Sequence, residues 1–248
     1  MVGAHRAADI RLDLARETGA QVDRDVDLDL HVALLELQEV LETSVAPPRI
    51  SEAEARARID AGTPLVDGDT AIAPDVLDHA VARVHHLIAE RRPDLTMDRE
   101  ALDPVVVTLA LRGLLRPWAA ALAPLVDDRR WRRAECPVCG GAPDFAVVGG
   151  PARERRMLCS RCDAEWTYSR IGCPFCGNAA PEKLGYYPAA TPRYRVYVCD
   201  ACGTYLEAVD LARGDARSAP AERILASPLD RAVAQLGYHA AEARAAGN

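Results

Sequence analysis

The sequence lacks the motifs by which several large enzyme classes are recognised. It contains no glycine-rich phosphate loop, no serine nucleophile elbow and no paired-carboxylate signature that stands out from its many acidic residues. These absences give no support to phosphoryl transfer, to α/β-hydrolase chemistry or to glycoside hydrolysis. Aromatic residues make up only 5% of the 248 residues, and residues 131–217 contain a single lysine, Lys183.

Long hydrophobic runs are also missing. The first residues, MVGAHRAADIRLDLARETGAQVD, carry a charge every few positions, so we expect no secretory signal there. The longest apolar stretch, PVVVTLALRGLLRPWAAALAPLV, is interrupted by Arg112, Arg116 and Pro117, and no run reaches the roughly 18 residues of a membrane span. We therefore predict a buried helix at this stretch, no membrane insertion and a cytoplasmic protein.

Positive charge is scarce overall and unevenly distributed. The formal net charge is −7; residues 131–217 carry 12 basic and 10 acidic side chains, whereas residues 1–130 carry 15 and 24. A protein that binds nucleic acid or anionic membranes is usually basic. The balance therefore argues against both partners and indicates two parts of different character.

The predicted fold class is α+β. Residues 1–130 read as an acidic, all-α domain, with an amphipathic stripe at 30–41, a helix capped by Ser51 and ended by Gly62, a helix that begins at Pro74, and two more near 98–113 and 116–127. We interpret the run around 129–133 as a charged linker. Two tandem rubredoxin-like or zinc-ribbon β modules follow at 131–170 and 171–217, and a C-terminal helix and tail occupy 218–248.

All eight cysteines fall into four Cys-x-x-Cys pairs, and none is left over. Without an export signal, such pairs indicate metal sites rather than disulfides. A catalytic dithiol is the main alternative, but it needs one pair that opens a helix, whereas these pairs come in fours among short strands. The residue after each second cysteine is Gly140, Asp163, Gly177 or Gly203, and these residue types tolerate the left-handed conformation that a metal-binding turn requires.

An internal repeat predicts which pairs share a site. CPVCGGAPDF…RERRMLCSRC and CPFCGNAAPE…RYRVYVCDAC both place a Cys-Pro-x-Cys-Gly turn before a basic and apolar strand that ends in Cys-x-x-Cys. Each copy should therefore close its own site, and the stretch 163–172 should join them. The predicted metal ligands are Cys136, Cys139, Cys159 and Cys162 in the first site, and Cys173, Cys176, Cys199 and Cys202 in the second.

No histidine lies between residues 136 and 202, so both sites should be tetrahedral and all-cysteine. Four thiolates suit zinc or a single iron ion, and the sequence does not distinguish them. We predict two metal ions per chain. Because four protein ligands leave no open coordination position, we expect neither site to be catalytic.

The motifs CPVCGGAP, LCSRCDAEWTYSRIGCPFCGN and YRVYVCDACGTYLEAVD, continued by PLDRAVAQLGY, resemble the formate dehydrogenase accessory protein family (FdhE type). The resemblance covers about residues 134–238 and is only architectural in residues 1–130. It implies a cytoplasmic, non-enzymatic, chaperone-like assembly factor that binds the catalytic subunit of respiratory formate dehydrogenase. It also implies rubredoxin-like iron, with the eight cysteines as the functional residues.

Two other functions remain as alternatives. A zinc-ribbon nucleic-acid-binding protein would need a basic ribbon with aromatic residues among lysines. An iron-dependent redox protein would need an accessible thiol or a metal that changes oxidation state. The tyrosines of GYYPAATPRYR are either a partner-binding surface or a cover for the ribbon core.

Overall fold

The computed structural model describes residues 46–68, 71–91, 99–213 and 218–241. The amphipathic stripe predicted at residues 30–41 lies outside the described residues. Within the described part the helices are α1 (Glu52–Asp60), α2 (Pro74–Arg91), α3 (Arg99–Leu122), α4 (Ala219–Ala226) and α5 (Pro228–Gln235). The strands are β1 (Pro143–Gly149), β2 (Glu154–Cys159), β3 (Glu165–Thr167), β4 (Leu184–Pro188), β5 (Tyr194–Cys199) and β6 (Thr204–Asp210), with short 3-10 helices at Ala123–Leu125 and Pro181–Lys183.

The starts of the first two described helices confirm the sequence signals. The Ser51 hydroxyl accepts a hydrogen bond of 3.2 Å from the backbone N–H of Glu54 and so caps α1. The chain leaves this helix through Gly62, whose φ of +67° lies in the left-handed region. Pro74 is the first residue of α2, where its missing N–H removes no helical hydrogen bond.

The prediction of two helices near 98–113 and 116–127 is wrong. Helix α3 runs from Arg99 to Leu122 straight through Pro117. A proline inside a helix removes a backbone hydrogen bond and crowds the preceding turn, at a cost of about 3 kcal/mol. Leu114, Leu115 and Trp118 around it are almost fully buried, and each buried side chain of this size contributes about 1.5–3 kcal/mol. The burial of these side chains therefore outweighs the tendency of Pro117 to break the helix.

By length and composition alone, one helical stretch in the described residues, Val106–Leu125, is apolar enough to cross a membrane. Its buried face instead packs in the core, and Arg112, at its middle, donates a hydrogen bond of 2.8 Å to the carbonyl of Ser160. Within this structure the stretch is therefore a core helix: its apolar side chains join the same buried cluster as Met157 and Trp166 of the sheet, and Arg112 ties it to the turn after β2.

The six strands form one sheet in the order β3-β2-β1-β6-β5-β4. Each sequence repeat supplies three consecutive antiparallel strands, β1 to β3 and β4 to β6. The two copies meet where β1 pairs in parallel with β6, with Phe145 opposite Glu207 and Val148 opposite Asp210. The two ribbons therefore share a continuous hydrogen-bonded sheet.

Two hydrophobic clusters cover the sheet. The larger one contains side chains of α1, α2 and α3 together with Trp131, Met157, Trp166 and the four cysteines of the first repeat. The smaller one contains Phe145, Val196 and Val209 from the strands with Leu229 and Val233 from α5. The helices before the sheet and the helices after it therefore pack through separate clusters.

Two further expectations need correction. The four arginines of the run at 129–133 are exposed, as expected of a charged linker, but Trp131 between them is 1% exposed and donates a hydrogen bond to the carbonyl of Glu135, so the run is anchored in the core. The C-terminal helix predicted over residues 220–238 is divided into α4 and α5. Pro228 is the first residue of the second of these helices, and because it has no N–H it cannot continue the backbone hydrogen bonds of α4.

The mixed α and β composition and the two groups of cysteines are confirmed, with one six-stranded sheet as the framework. A separate helical domain over residues 1–130 stays a prediction, because residues 1–45 lie outside the described part. The boundaries at 131–170, 171–217 and 218–248 also stay predictions.

Candidate metal centres

Four tight turns present the cysteines. In each turn the N–H of the residue after the second cysteine donates to the carbonyl of the first: Gly140 to Cys136, Asp163 to Cys159, Gly177 to Cys173 and Gly203 to Cys199, at 2.8–3.3 Å. These four residues have φ values of +74°, +54°, +72° and +71°. The left-handed conformation predicted from the residue types is therefore confirmed at all four positions.

The turns bring the eight sulfur atoms into two groups of four, and within each group all sulfurs lie within 4.8 Å of one another. The membership of the groups is that predicted from the repeat. In the first group Cys139 Sγ lies 3.5 Å from Cys159 Sγ and 3.4 Å from Cys162 Sγ. In the second group two sulfur pairs, from Cys173 to Cys202 and from Cys176 to Cys199, are each 3.7 Å apart.

These distances fit a single tetrahedral ion in each group. A metal–sulfur bond of about 2.3 Å implies sulfur–sulfur edges of about 3.8 Å in a regular tetrahedron. The described residues bring no histidine or carboxylate into either group. The donor set is therefore purely thiolate, which suits zinc or iron and fills four-coordinate geometry.

Backbone N–H groups point at the sulfurs as a thiolate site requires. The N–H groups of Val138, Arg161 and Phe175 each lie 3.4 Å from the sulfur two residues earlier, Cys136, Cys159 and Cys173 respectively. Such bonds stabilise negative charge on sulfur. They favour the deprotonated form that binds a metal.

Burial and mutual hydrogen bonds shift the pKa values of three thiols of the first group in opposite directions. Burial raises the pKa of Cys136, and hydrogen bonds with the neighbouring thiols raise the pKa of Cys162. Hydrogen bonds from the same neighbours lower the pKa of Cys139, so one thiolate is favoured at the expense of the others. A bound divalent cation offsets the repulsion between neighbouring thiolates. Its binding releases the protons that the thiols carried.

The second group also contains one thiol with a raised pKa and one with a lowered pKa. Burial raises the pKa of Cys173 to about 12. Burial also opposes ionisation of Cys202, but hydrogen bonds from the hydroxyl and the backbone N–H of Thr204 outweigh it and lower the pKa to about 7. The Thr204 Oγ1 atom lies 2.8 Å from Cys202 Sγ. In the first repeat the corresponding position is Ala164, so this hydroxyl contact belongs to the second site alone.

A cluster of charges that the sequence analysis missed holds the first site against the helices. Asp163, whose side chain is 6% exposed, lies 2.8 Å from Arg223 of α4, and 3.1 Å and 3.7 Å from Arg116 and Arg112 of α3. The Arg116 contact is an ion pair without hydrogen-bond geometry. Arg223 also donates to the carbonyl of Cys159 at 3.4 Å. The only sequence signal for this arrangement was an aspartate where the other three turns carry glycine.

A second missed residue, Arg155 of β2, fixes the connection between the two ribbons. Its guanidinium donates to the carbonyls of Ser169 and Gly172, the latter at 2.8 Å. The same group lies over the rings of Tyr168 and Tyr197, at 5.8 Å and 5.3 Å from their centres. The stretch between Cys162 and Cys173 is thus a short strand, β3, followed by a loop anchored on Arg155.

The tyrosines of the second ribbon divide between the two interpretations. Tyr187 and Tyr194 pack against the smaller cluster, and the Tyr194 hydroxyl donates to Glu222 at 2.6 Å. Tyr186 on the edge strand β4 is 56% exposed. Two of the three therefore cover the core, and one presents its ring to solvent.

Helices packed on one sheet, with two tandem three-stranded ribbons that each present four cysteines, define the class of this chain as a protein with two four-cysteine ribbons. The structure is similar to the crystal structure of the FdhE protein from Pseudomonas aeruginosa. The similarity has a TM-score of 0.60 at 21% sequence identity and covers 98% of this chain and 96% of that chain. No family model and no curated protein sequence matches the chain. The resemblance inferred from the cysteine motifs is thereby confirmed at the level of the fold.

Proposed function

We propose that the chain is a non-enzymatic accessory factor for the maturation of formate dehydrogenase, with one metal ion in each four-cysteine group. The observation that supports it most is the likeness to the FdhE fold over nearly the full length of both chains. The two cysteine groups supply the metal-binding part of the proposal. Either iron or zinc meets the geometry.

The coordination chemistry supports a non-enzymatic role. Catalytic metal sites keep a position for water or substrate, whereas four thiolates close the coordination shell. The ions would fix the four turns and thereby the relative positions of the two ribbons. The proposed role is binding the catalytic subunit of formate dehydrogenase in the cytoplasm before the enzyme is complete.

The proposal is tested by co-purification. The tagged full-length chain, expressed with the catalytic subunit of a formate dehydrogenase, should retain that subunit through affinity purification and gel filtration. Cys139→Ser and Cys176→Ser, equivalent positions of the two repeats, should each reduce retention if both sites support the binding surface. Exposed Glu182→Gln serves as a control that should bind as the wild type does.

Two outcomes would contradict the proposal. Failure of the metal-loaded wild type to retain the catalytic subunit, together with a shift of DNA in a gel, would favour the nucleic-acid-binding alternative. Failure to retain it, together with reversible oxidation of bound iron, would favour the redox alternative.

A further inference from the structure

The two cysteine groups differ sharply in exposure to solvent. In the first group every cysteine is at most 2% exposed. In the second group Cys173 and Cys199 are buried, Cys202 is half-buried and Cys176 is exposed. The repeat makes the two groups alike in sequence, so the difference arises from what packs around them.

Both turns of the first group are covered by the helical part of the chain. The N–H groups of Leu65, Val66 and Gly68 donate to the carbonyls of residues 137–139 at 2.8–3.1 Å. The approach at Gly68 is so close that a Cβ there would lie 2.6 Å from the carbonyl oxygen of Cys139. No side chain fits between this segment and the turn.

The other turn of the first group is held by arginines. Arg112 of α3 donates to the carbonyl of Ser160, and Arg223 of α4 donates to the carbonyl of Cys159. Access to the first group therefore requires separation of helices from the sheet.

The second group borders open surface. A small cleft of about 50 Å³ lies beside Cys173 and Cys199, with Phe175, Leu184 and Tyr197 among its lining residues. Ile171, two residues before Cys173, is 61% exposed. On the opposite turn, residues 238–239 contact the chain from Asp200 to Tyr205. Tyr238 donates to Asp200, the N–H of His239 donates to the carbonyl of Gly203, and the N–H of Tyr205 donates to the carbonyl of His239.

We propose that the second group is an exchangeable site for a thiophilic divalent cation, whereas the first group holds its ion permanently. This inference rests on the proposed binding of one ion by each group. An incoming ligand would reach the metal through Cys176 and Cys202, which solvent can access. Each thiolate that leaves the cation would take a proton from solvent, and the cation would pass to the acceptor without a change of oxidation state.

With one permanent ion and one exchangeable ion, the chain has a site that senses competing metal ligands in addition to its structural metal site. The first ion would keep the helices and the sheet together under all conditions. The second would leave when a competing chelator or thiol is abundant, and the exposed ribbon with Ile171 and Tyr186 would lose its internal cross-link. Occupancy of the second site would thus control the shape of the surface beside it.

The test is chelator competition on the full-length chain, prepared without oxygen and loaded with Zn²⁺ to two ions per chain. With excess chelating dye, we expect one ion to be released at least roughly tenfold faster than the other, because the first site opens only through local unfolding. Release of both ions in one phase would overturn the inference. A chain that never takes up two ions would instead overturn the metal binding on which the inference rests.

Matched variants show which cysteine group releases the fast ion and which releases the slow one. Cys176→Ser should abolish the fast phase and keep one slowly released ion, and Cys139→Ser should do the reverse. If Cys139→Ser does not fold, alkylation of the metal-loaded wild type with iodoacetamide, followed by peptide mapping, replaces it. We expect modification of Cys176 and Cys202 before any cysteine of the first group; earlier modification of the first group would contradict the proposal.

Discussion

Asp163 offers the sharpest test of how the first ribbon is attached to the helices. Asp163→Asn keeps the size of the side chain and its tolerance of the left-handed conformation, but it removes the negative charge. Arg112, Arg116 and Arg223 then face a neutral amide. Arg223 and Arg112 keep Asp144, at 3.2 Å and 3.5 Å, but all three arginines lose the buried carboxylate of Asp163 in a place that solvent reaches poorly.

The magnitude follows from measured losses on breaking buried ion pairs. Removing one partner of such a pair costs about 3–5 kcal/mol when the other charge is left unpaired, and the remaining Asp144 together with the partial exposure of Arg116 places the expectation below that range, at about 2 kcal/mol. For a chain of this size that loss lowers the midpoint of thermal unfolding by roughly 4–8 °C. Urea and thermal unfolding of the metal-loaded protein, followed by tryptophan fluorescence, measure it directly, since Trp118, Trp131 and Trp166 are all buried.

A second variant separates the charge from the backbone. Asp163→Gly removes the same charge but relieves any strain at φ +54°, as glycine does in the other three turns. We expect it to lose nearly as much stability as Asp163→Asn, whereas Glu182→Gln on the exposed surface should stay within about 0.5 kcal/mol of the wild type. If Asp163→Asn also stays within about 0.5 kcal/mol, or if Asp163→Gly is as stable as the wild type, the ion pairs do not hold the ribbon.

Three further changes test other parts of the account by the same unfolding measurements. Pro117→Ala should stabilise the folded chain by about 1–3 kcal/mol because it restores a helical hydrogen bond. Pro74→Ala, at a helix start, should give no such gain, and a loss of stability in Pro117→Ala would contradict the reasoning. Arg155→Met should cost about 3 kcal/mol because two carbonyls of the ribbon connection lose their donor, against little change for exposed Arg170→Met; equal effects would refute the role of Arg155. Burial and the neighbouring Asp230 raise the pKa of Glu207 to about 9. Between pH of about 4.5 and 9 the folded state therefore keeps a proton that the unfolded state releases, and the stability of the fold should decrease as pH rises through this range. Glu207→Gln should flatten that fall, and an unchanged slope would count against it.

Sequence alone was most informative where the structure depends on local chemistry. The conformation after each second cysteine follows from Gly140, Gly177, Gly203 and Asp163, because only a few residue types adopt positive φ readily. The helix starts at Ser51 and Pro74 depend in the same way on local residue chemistry. The grouping of the cysteines followed from the repeat, since each copy contains two Cys-x-x-Cys turns.

The features that escaped prediction depend on contacts between distant parts of the chain. The parallel pairing of β1 with β6 joins residues about 60 positions apart, and neither strand carries a signal for its partner. Pro117 lies within a helix because the core around it is buried, which a local proline rule does not see. The arginines on Asp163 come from α3 and α4, and only the folded chain shows that they converge.

The central claim is that each repeat closes its own metal site. Elemental analysis of protein prepared without oxygen, combined with X-ray absorption at the iron and zinc edges, tests it most directly. The account predicts two ions per chain, each with four sulfur neighbours at about 2.3 Å, and one ion fewer in Cys176→Ser. No metal, a single ion shared by all eight cysteines, or nitrogen and oxygen neighbours in place of sulfur would contradict it.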